Sequence, residues 1–362
     1  MRLLILTVAA SVLGFSQDWP QFRGNPALTG ITPAKLGLTL EVAWTFEAGD
    51  AIESSAAIVG DTVYLGTQAS ELVALDLATG KPKWRFKTKE GVGESSAAVD
   101  QGLVLIGDLG GTLYAVNAQD GSLAWSYSTG GEIKASPVIV GDRVIVGSYE
   151  GSLSAVMLKT GKPLWKVKTN GPVHATAGIA EGVAWISGCD GVLRGIRISD
   201  GHEVSNIPTG AYTGASPLLV NGRSYFGTFN NDVMAFDLKT RRRVWRYENP
   251  VRQFPFYSSA TLVDGKVILG GRDKVVHALD AVTGKEVWSF ATRARVESSP
   301  AVAEGRVYIG SNDGRLYVLD AKTGKKLWEY EAGSPLSASP AIVRGRLVIG
   351  TQDGKLICFH GV

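Results

Sequence analysis

The chain has 362 residues, with 37 Lys and Arg against 34 Asp and Glu, and only two cysteines. A net charge of +3 gives no reason to expect nucleic acid or another polyanion as partner. Two cysteines exclude a disulfide-dense scaffold, so stability must come from apolar burial.

In chain order, residues 1–16 read as an export signal. Arg2 supplies a basic start, Leu3 to Phe15 form an apolar run, and Gly14-Phe15-Ser16 offer small residues ahead of Gln17. The run is too short for a permanent span, and no Cys near the cleavage region suggests a lipid anchor. The expected product is exported, periplasmic or extracellular, soluble after cleavage and not an integral membrane protein. Residues 17–40 form an N-terminal extension, and 41–362 form one repeat domain without a linker.

Within that domain one position returns at a near-constant interval: Trp44, Trp84, Trp125, Trp165, Ser205, Trp245, Trp288 and Trp328, spaced by 40, 41, 40, 40, 40, 43 and 40 residues. A period near 40 marks one supersecondary unit stacked on copies of itself. The unit from Glu297 shows it most fully. Small residues Ser298-Ser299 precede a strand, Val307–Ser311 and Leu316–Asp320 flank Asn312-Asp313-Gly314, and Thr323-Gly324-Lys325 leads to Leu327-Trp328. Short β-branched or aromatic runs cut by Gly, Asn or Asp are antiparallel strands joined by tight turns. Four per unit is a propeller blade. The Trp series is assigned to docking between blades, since repeated aromatics fill cores.

Closure follows from two orphans. The strand around Trp44 has no triplet before it, and the eighth triplet, ending at His360, has no Trp strand after it. The first strand therefore completes the last blade, giving an all-β, eight-bladed propeller with no open junction. Each blade opens with a small pair, from Ser54-Ser55 to Ala338-Ser339, suited to a tapering axis. Cys189 and Cys358 fall on opposite sides of the ring, too far apart to bond.

One end of the ring gathers the variable residues. The inner ring, one residue before each small pair, reads Glu53, Glu94, Lys134, His174, Gly214, Tyr257, Glu297 and Ser337. Glu297, Glu53 and Glu94 are expected to form an acidic arc facing Lys134 and His174. Variation there reads either as specialisation for a ligand or as tolerance at a wet channel mouth. An outer ring of Asp and Asn is what hairpin turns favour. No metal spacing and no Ser-His-Asp set can be assembled. Blade six adds three residues on this end, and Arg252, Phe254 and Phe256 of that loop are the candidates for a protein contact.

The units Ala74-Leu75-Asp76, Thr79-Gly80-Lys81, Trp84 and Ala278-Leu279-Asp280, Thr283-Gly284-Lys285, Trp288 closely resemble the pyrroloquinoline-quinone (PQQ) repeat with its tryptophan-docking motif. Asp18-Trp19-Pro20-Gln21-Phe22-Arg23-Gly24 is similar to the opening of exported proteins of this group, and compact chains of this length resemble the BamB family. The resemblance implies an eight-bladed fold and, for BamB-like members, a scaffold in outer-membrane protein assembly. Quinoprotein dehydrogenases of the same group hold PQQ against a Trp and a pair of adjacent cysteines, beside a metal; this chain has no Cys-Cys pair and no haem motif.

The expectation is thus a non-catalytic, monomeric, exported scaffold that binds another envelope-associated protein, with no cofactor. The alternatives are a dehydrogenase using PQQ with Ca²⁺, and a propeller binding a glycan or small ligand through the inner ring. Strand Glu203 to Pro208, where Ser replaces Trp, is expected to be the least protected.

Overall fold

The computed structural model describes residues 18–37 and 39–362; the export signal assigned to residues 1–16 lies outside them. Thirty-two strands form eight four-stranded antiparallel sheets. Blade one runs from Ala57–Val59 to Pro82–Lys87, and blades two to seven repeat it up to Lys326–Glu331. The eighth sheet joins Ala341–Val343, Arg346–Gly350 and Lys355–Gly361 to the first strand, Leu40–Glu47. Leu40 pairs with Gly361, Trp44 with Cys358 and Glu47 with Lys355, so the ring is closed within one sheet. Both cysteines are free.

The core lies between blades. One cluster joins Tyr64, Leu72 and Ala74 of blade one to Val104, Ile106 and Tyr114 of blade two, and the pattern recurs around the ring. Six of the seven rim indoles donate to a carbonyl of the next blade, and the seventh, Trp328, meets Phe359 of the eighth sheet edge-on. Trp44 Nε1 donates to Leu77 O at 2.9 Å, Trp125 to Leu158 O at 2.8 Å and Trp288 to Ala321 O at 3.1 Å. The ring lies on the turn glycine of that blade: a Cβ on Gly80 would fall 2.6 Å from Trp44, and Gly80 has φ +70°. Glycine is therefore needed twice over, for the left-handed backbone and for contact.

Blade four breaks the motif and repairs it. In blade one a cross-strand row reads Tyr64, Ala74, Trp84; in blade three it reads Ile145, Ala155, Trp165. The blade-four row reads Trp185, Gly195, Ser205. The bulky ring has moved to the second strand, and Gly195 makes room, its Cβ position lying 3.1 Å from Trp185. Where the missing indole would have docked, blade five has Arg241 instead of Gly, and its Nη2 donates to Val204 O at 2.8 Å. The strand Glu203–Pro208 is thus held from within by Trp185 and from the neighbour by Arg241, which the absence of a rim Trp alone did not foretell.

Residues 18–37 close the other end of the channel. They circle it in blade order along the inner strands. Trp19 exchanges two hydrogen bonds of 2.8 Å with Ile58, Pro20 O accepts from Val99 N at 2.8 Å, and Pro26 O accepts from Ile179 N at 2.7 Å. Gly30 O and Thr32 N then bond Val302, and Leu36 N donates to Glu304 Oε2 at 2.8 Å. The exposed edges of the inner strands are covered by this strap. Arg23, only 1% exposed, pins it. Its guanidinium donates to the carbonyls of Pro300 and of Ala260, the latter at 2.8 Å. Burial pulls its pKa down to about 9, so it stays a cation at neutral pH.

Candidate functional site

With one end strapped shut, the channel is a blind cup of about 410 Å³. The floor carries the ring of Phe22, and a belt of hydroxyls surrounds the axis above it. The second residue of every small pair is Ser or Thr, and the reason is a closed circle of hydrogen bonds. The backbone N–H of Ser55 donates to Ser96 Oγ, Ser96 to Ser136, Ser136 to Thr176 and Thr176 to Ser216. Ser216 donates to Ser259, Ser259 to Ser299, Ser299 to Ser339, and Ser339 back to Ser55, all eight at 2.9–3.0 Å. Alanine would fit the taper equally well. Only a hydroxyl can accept the neighbour's N–H, which is otherwise an orphan donor beside the axis.

The inner ring lines the cup, as Glu53, Glu94, Lys134, His174, Gly214, Tyr257, Glu297 and Ser337. A second ring, missed in the sequence, stands behind it: Gln68, Leu109, Tyr149, Cys189, Phe229, Arg272, Asn312 and Gln352. Each opens the turn between the second and third strands, and six of the eight precede an Asp, Asn or Gly, the exceptions being Gln68 before Ala69 and Tyr149 before Glu150. Their backbone N–H groups bond the connection entering the same blade, as in Gln68 N to Ala51 O at 3.0 Å and Tyr149 N to Glu132 O at 2.9 Å. The signal was available, because these residues vary between repeating neighbours just as the inner ring does.

The second ring decides the electrostatics. Glu297 is ion-paired with Arg272 at 2.7 Å and Arg295 at 3.4 Å, and Glu53 accepts from Gln68 Nε2 at 2.9 Å. Glu94 reaches across the axis instead. It accepts from the Tyr257 hydroxyl at 2.8 Å and lies 3.2 Å from His174 Nε2, while Tyr149 meets His174 Nδ1. Tyr257 also contacts the His174 ring directly. The acidic arc expected from the sequence is therefore divided: Glu297 is neutralised by arginines, and Glu94 joins a brace linking blades two, four and six. Burial would raise the Glu94 carboxyl, but hydrogen bonds from His174 and Tyr257 and the Lys134 charge leave it below its ordinary value. Burial, with Glu94 alongside, holds the Tyr257 phenol well above its usual range, so it remains a donor. The Lys134 ammonium lies over the Tyr149 ring at 5.0 Å.

The blade-six loop is built by polar anchors. Asn249 Nδ2 donates to Asp273 Oδ2 at 2.7 Å, and Arg252 Nη1 to Asp273 O at 3.1 Å. Phe254 is exposed, as is Val251 at 84%. Phe256 is not available for contact: it is 1% exposed and packs edge-on against His277, and its backbone N–H is tied to Thr228 O of the preceding blade. His277 is buried between Asp273 Oδ2 at 2.8 Å and Glu286 Oε2 at 2.9 Å. Burial opposes the imidazolium, but the two carboxylates outweigh it and raise the pKa above 6.5. Glu286 is lowered from 4.5 to about 2, chiefly by His277.

These shifts set a pH window. The imidazolium contribution is complete below pH 6.5 and is lost as pH rises through the raised pKa. The Glu286 contribution is present above pH 4.5 and is lost as pH falls towards 2. The thermal midpoint is expected to decline as pH climbs above 6.5, and His277→Gln to flatten that limb. A variant that kept the full slope would place its origin elsewhere.

Fold, docking indoles and turn glycines together define a PQQ-repeat β-propeller. The profile of the family described as outer membrane protein assembly factor BamB matches residues 36–91, 78–253 and 230–360. The chain belongs to that family. A solved BamB from Moraxella catarrhalis superposes with a TM-score of 0.75 at 19% identity, covering 89% of this chain and 98% of that one. The quinohemoprotein alcohol dehydrogenase of Comamonas testosteroni shares the fold with a TM-score of 0.81 at 14% identity, covering 96% of this chain and 81% of that one. A quinone-dependent alcohol dehydrogenase subunit of Gluconobacter oxydans is 35% identical over 94 residues, 22% of this chain. That stretch spans only 12% of the dehydrogenase.

The lining does not fit a quinone centre. No Trp faces the cup. The Cys189 thiol lies 3.7 Å from Thr213 O and has no second cysteine beside it. Among the described residues, no three His, Cys, Asp or Glu side chains converge as metal ligands. No described helix is long and apolar enough to cross a membrane.

Proposed function

We propose that this protein is a monomeric, exported, non-catalytic scaffold that docks an extended segment of a component of the outer-membrane protein assembly machinery. The observation that carries this reading is an apolar ledge on the open end: Tyr212 at 60%, Val251 at 84% and Phe254 at 51% exposure on the adjacent blades five and six. Large apolar side chains on a hydrogen-bonded loop are preorganised for contact, which lowers the entropic cost of binding. Arg252 on the same loop adds a charged edge suited to an acidic residue of the partner. The description of the family supports the choice of partner. A dehydrogenase reading is disfavoured by a lining with no Trp and no cysteine pair.

A photo-crosslinking residue at position 254 is expected to capture an assembly-machinery component in intact envelopes. The same probe at Lys35, exposed on the strapped end, is expected not to. Equal capture at both positions, or PQQ- and Ca²⁺-dependent turnover of an alcohol, would refute the reading.

A further inference from the structure

We propose that the blind cup binds a neutral polyhydroxylated ligand, a mono- or disaccharide unit. Its volume of about 410 Å³ lies within the range of small-ligand sites. The charged lining cancels: Glu53, Glu94 and Glu297 stand against Lys134, Arg272 and Arg295. No net field favours an anion or a cation.

The floor and walls match hydroxyl chemistry. Each belt hydroxyl spends one lone pair on the neighbouring blade's N–H, which leaves its own O–H and a second lone pair. Seven of the eight belt hydroxyls face the cup. A polyol also presents groups that donate and accept at once, so it can satisfy such a surface where a purely accepting anion cannot. Around blades seven, eight and one, amides are paired with the inner ring. Gln68 holds Glu53, Asn312 Nδ2 donates to Glu297 at 3.1 Å, and Gln352 Nε2 donates to Ser337 Oγ at 2.5 Å. An amide beside a carboxylate or hydroxyl offers a donor and an acceptor at the spacing of neighbouring hydroxyls. The Glu94–Tyr257 brace lies away from these amides, so the ligand is assigned to the side lined by Ser337, Ser339 and Gln352. Phe22 at the base supplies an apolar surface for the face of a sugar ring.

The unit can arrive free or as the end of a longer glycan, and a blind cup meets both with the same contacts. The test titrates the full protein with glucose, N-acetylglucosamine, trehalose, maltose and maltoheptaose, followed by ligand-observed NMR and calorimetry. Inorganic phosphate and calcium chloride serve as charged comparators. At least one sugar is expected to saturate with a Kd of about 1 mM or tighter. Gln352→Ala and Glu53→Ala are each expected to weaken it about tenfold without lowering the thermal midpoint. Tighter binding of maltoheptaose than maltose identifies a chain end as the source; equal binding identifies a free sugar. The proposal is overturned if no sugar saturates, if phosphate or calcium binds while the sugars do not, or if both variants bind like the parent. It is independent of the docking ledge, so loss of crosslinking at position 254 leaves it standing.

Discussion

Trp185→Ala is expected to cost about 3–5 kcal/mol, the range for deleting a large buried aromatic. The ring is 6% exposed and packs with Leu193, Ile207, Phe226 and Phe236 across the seam between blades four and five. It also stands in for the indole that Ser205 lacks, so no second ring is at hand to fill the cavity it would leave. Urea unfolding gives the size of the loss, and hydrogen exchange of Glu203–Pro208 shows where it falls. The complementary change is informative. Ser205→Trp alone is expected to destabilise by about 1–3 kcal/mol, because Trp185 and Arg241 already occupy the space. Combined with Trp185→Ile and Arg241→Gly, which recreate the row and turn of the other blades, the same substitution is expected to recover most of that loss. Strictly additive effects in the triple variant would show that the row is not a single packing unit.

Arg23→Met is expected to lower stability by about 2–4 kcal/mol. The change strips the donors from buried carbonyls of blades six and seven, and an unsatisfied buried acceptor costs about 1–3 kcal/mol. Arg23→Lys is expected to recover little, because a single ammonium cannot reproduce the planar fork that serves both blades. Limited proteolysis should cut the variants within residues 18–37 first, since the strap loses its central anchor. Resistance equal to the parent's would mean that the backbone pairing at Ile58 and Val302 holds the strap unaided.

The architecture could be read in advance because it depends on repetition. Spacing of the tryptophans, the Thr-Gly-Lys turns and the two orphan strands each report on the same blade, and agreement among levels fixes one fold. The candidate site was half legible for the opposite reason. Its inner ring was found as the place where repeats disagree, yet the partners of those residues sit on a different turn and vary as well. Arg272 and Gln68 therefore went unnoticed, and Glu297 and Glu53 were read as bare charges. The belt was read for size when its hydroxyls matter. Phe256 looked like a loop aromatic because sequence cannot say which residue of an insertion turns inward. The strap carries no repeat at all, so its course could come only from coordinates.

The strap also bears on the timing of folding. Residues 18–37 and the strand Leu40–Glu47 leave the ribosome before the blades, yet they bond to blades one through seven and to the final sheet. The strand Leu40–Glu47 must therefore wait, without its sheet partner, until Lys355–Gly361 has been made. A circular permutant that moved the Leu40–Glu47 strand behind Val362 would make every sheet from contiguous sequence and leave only the strap to wait for its later partners.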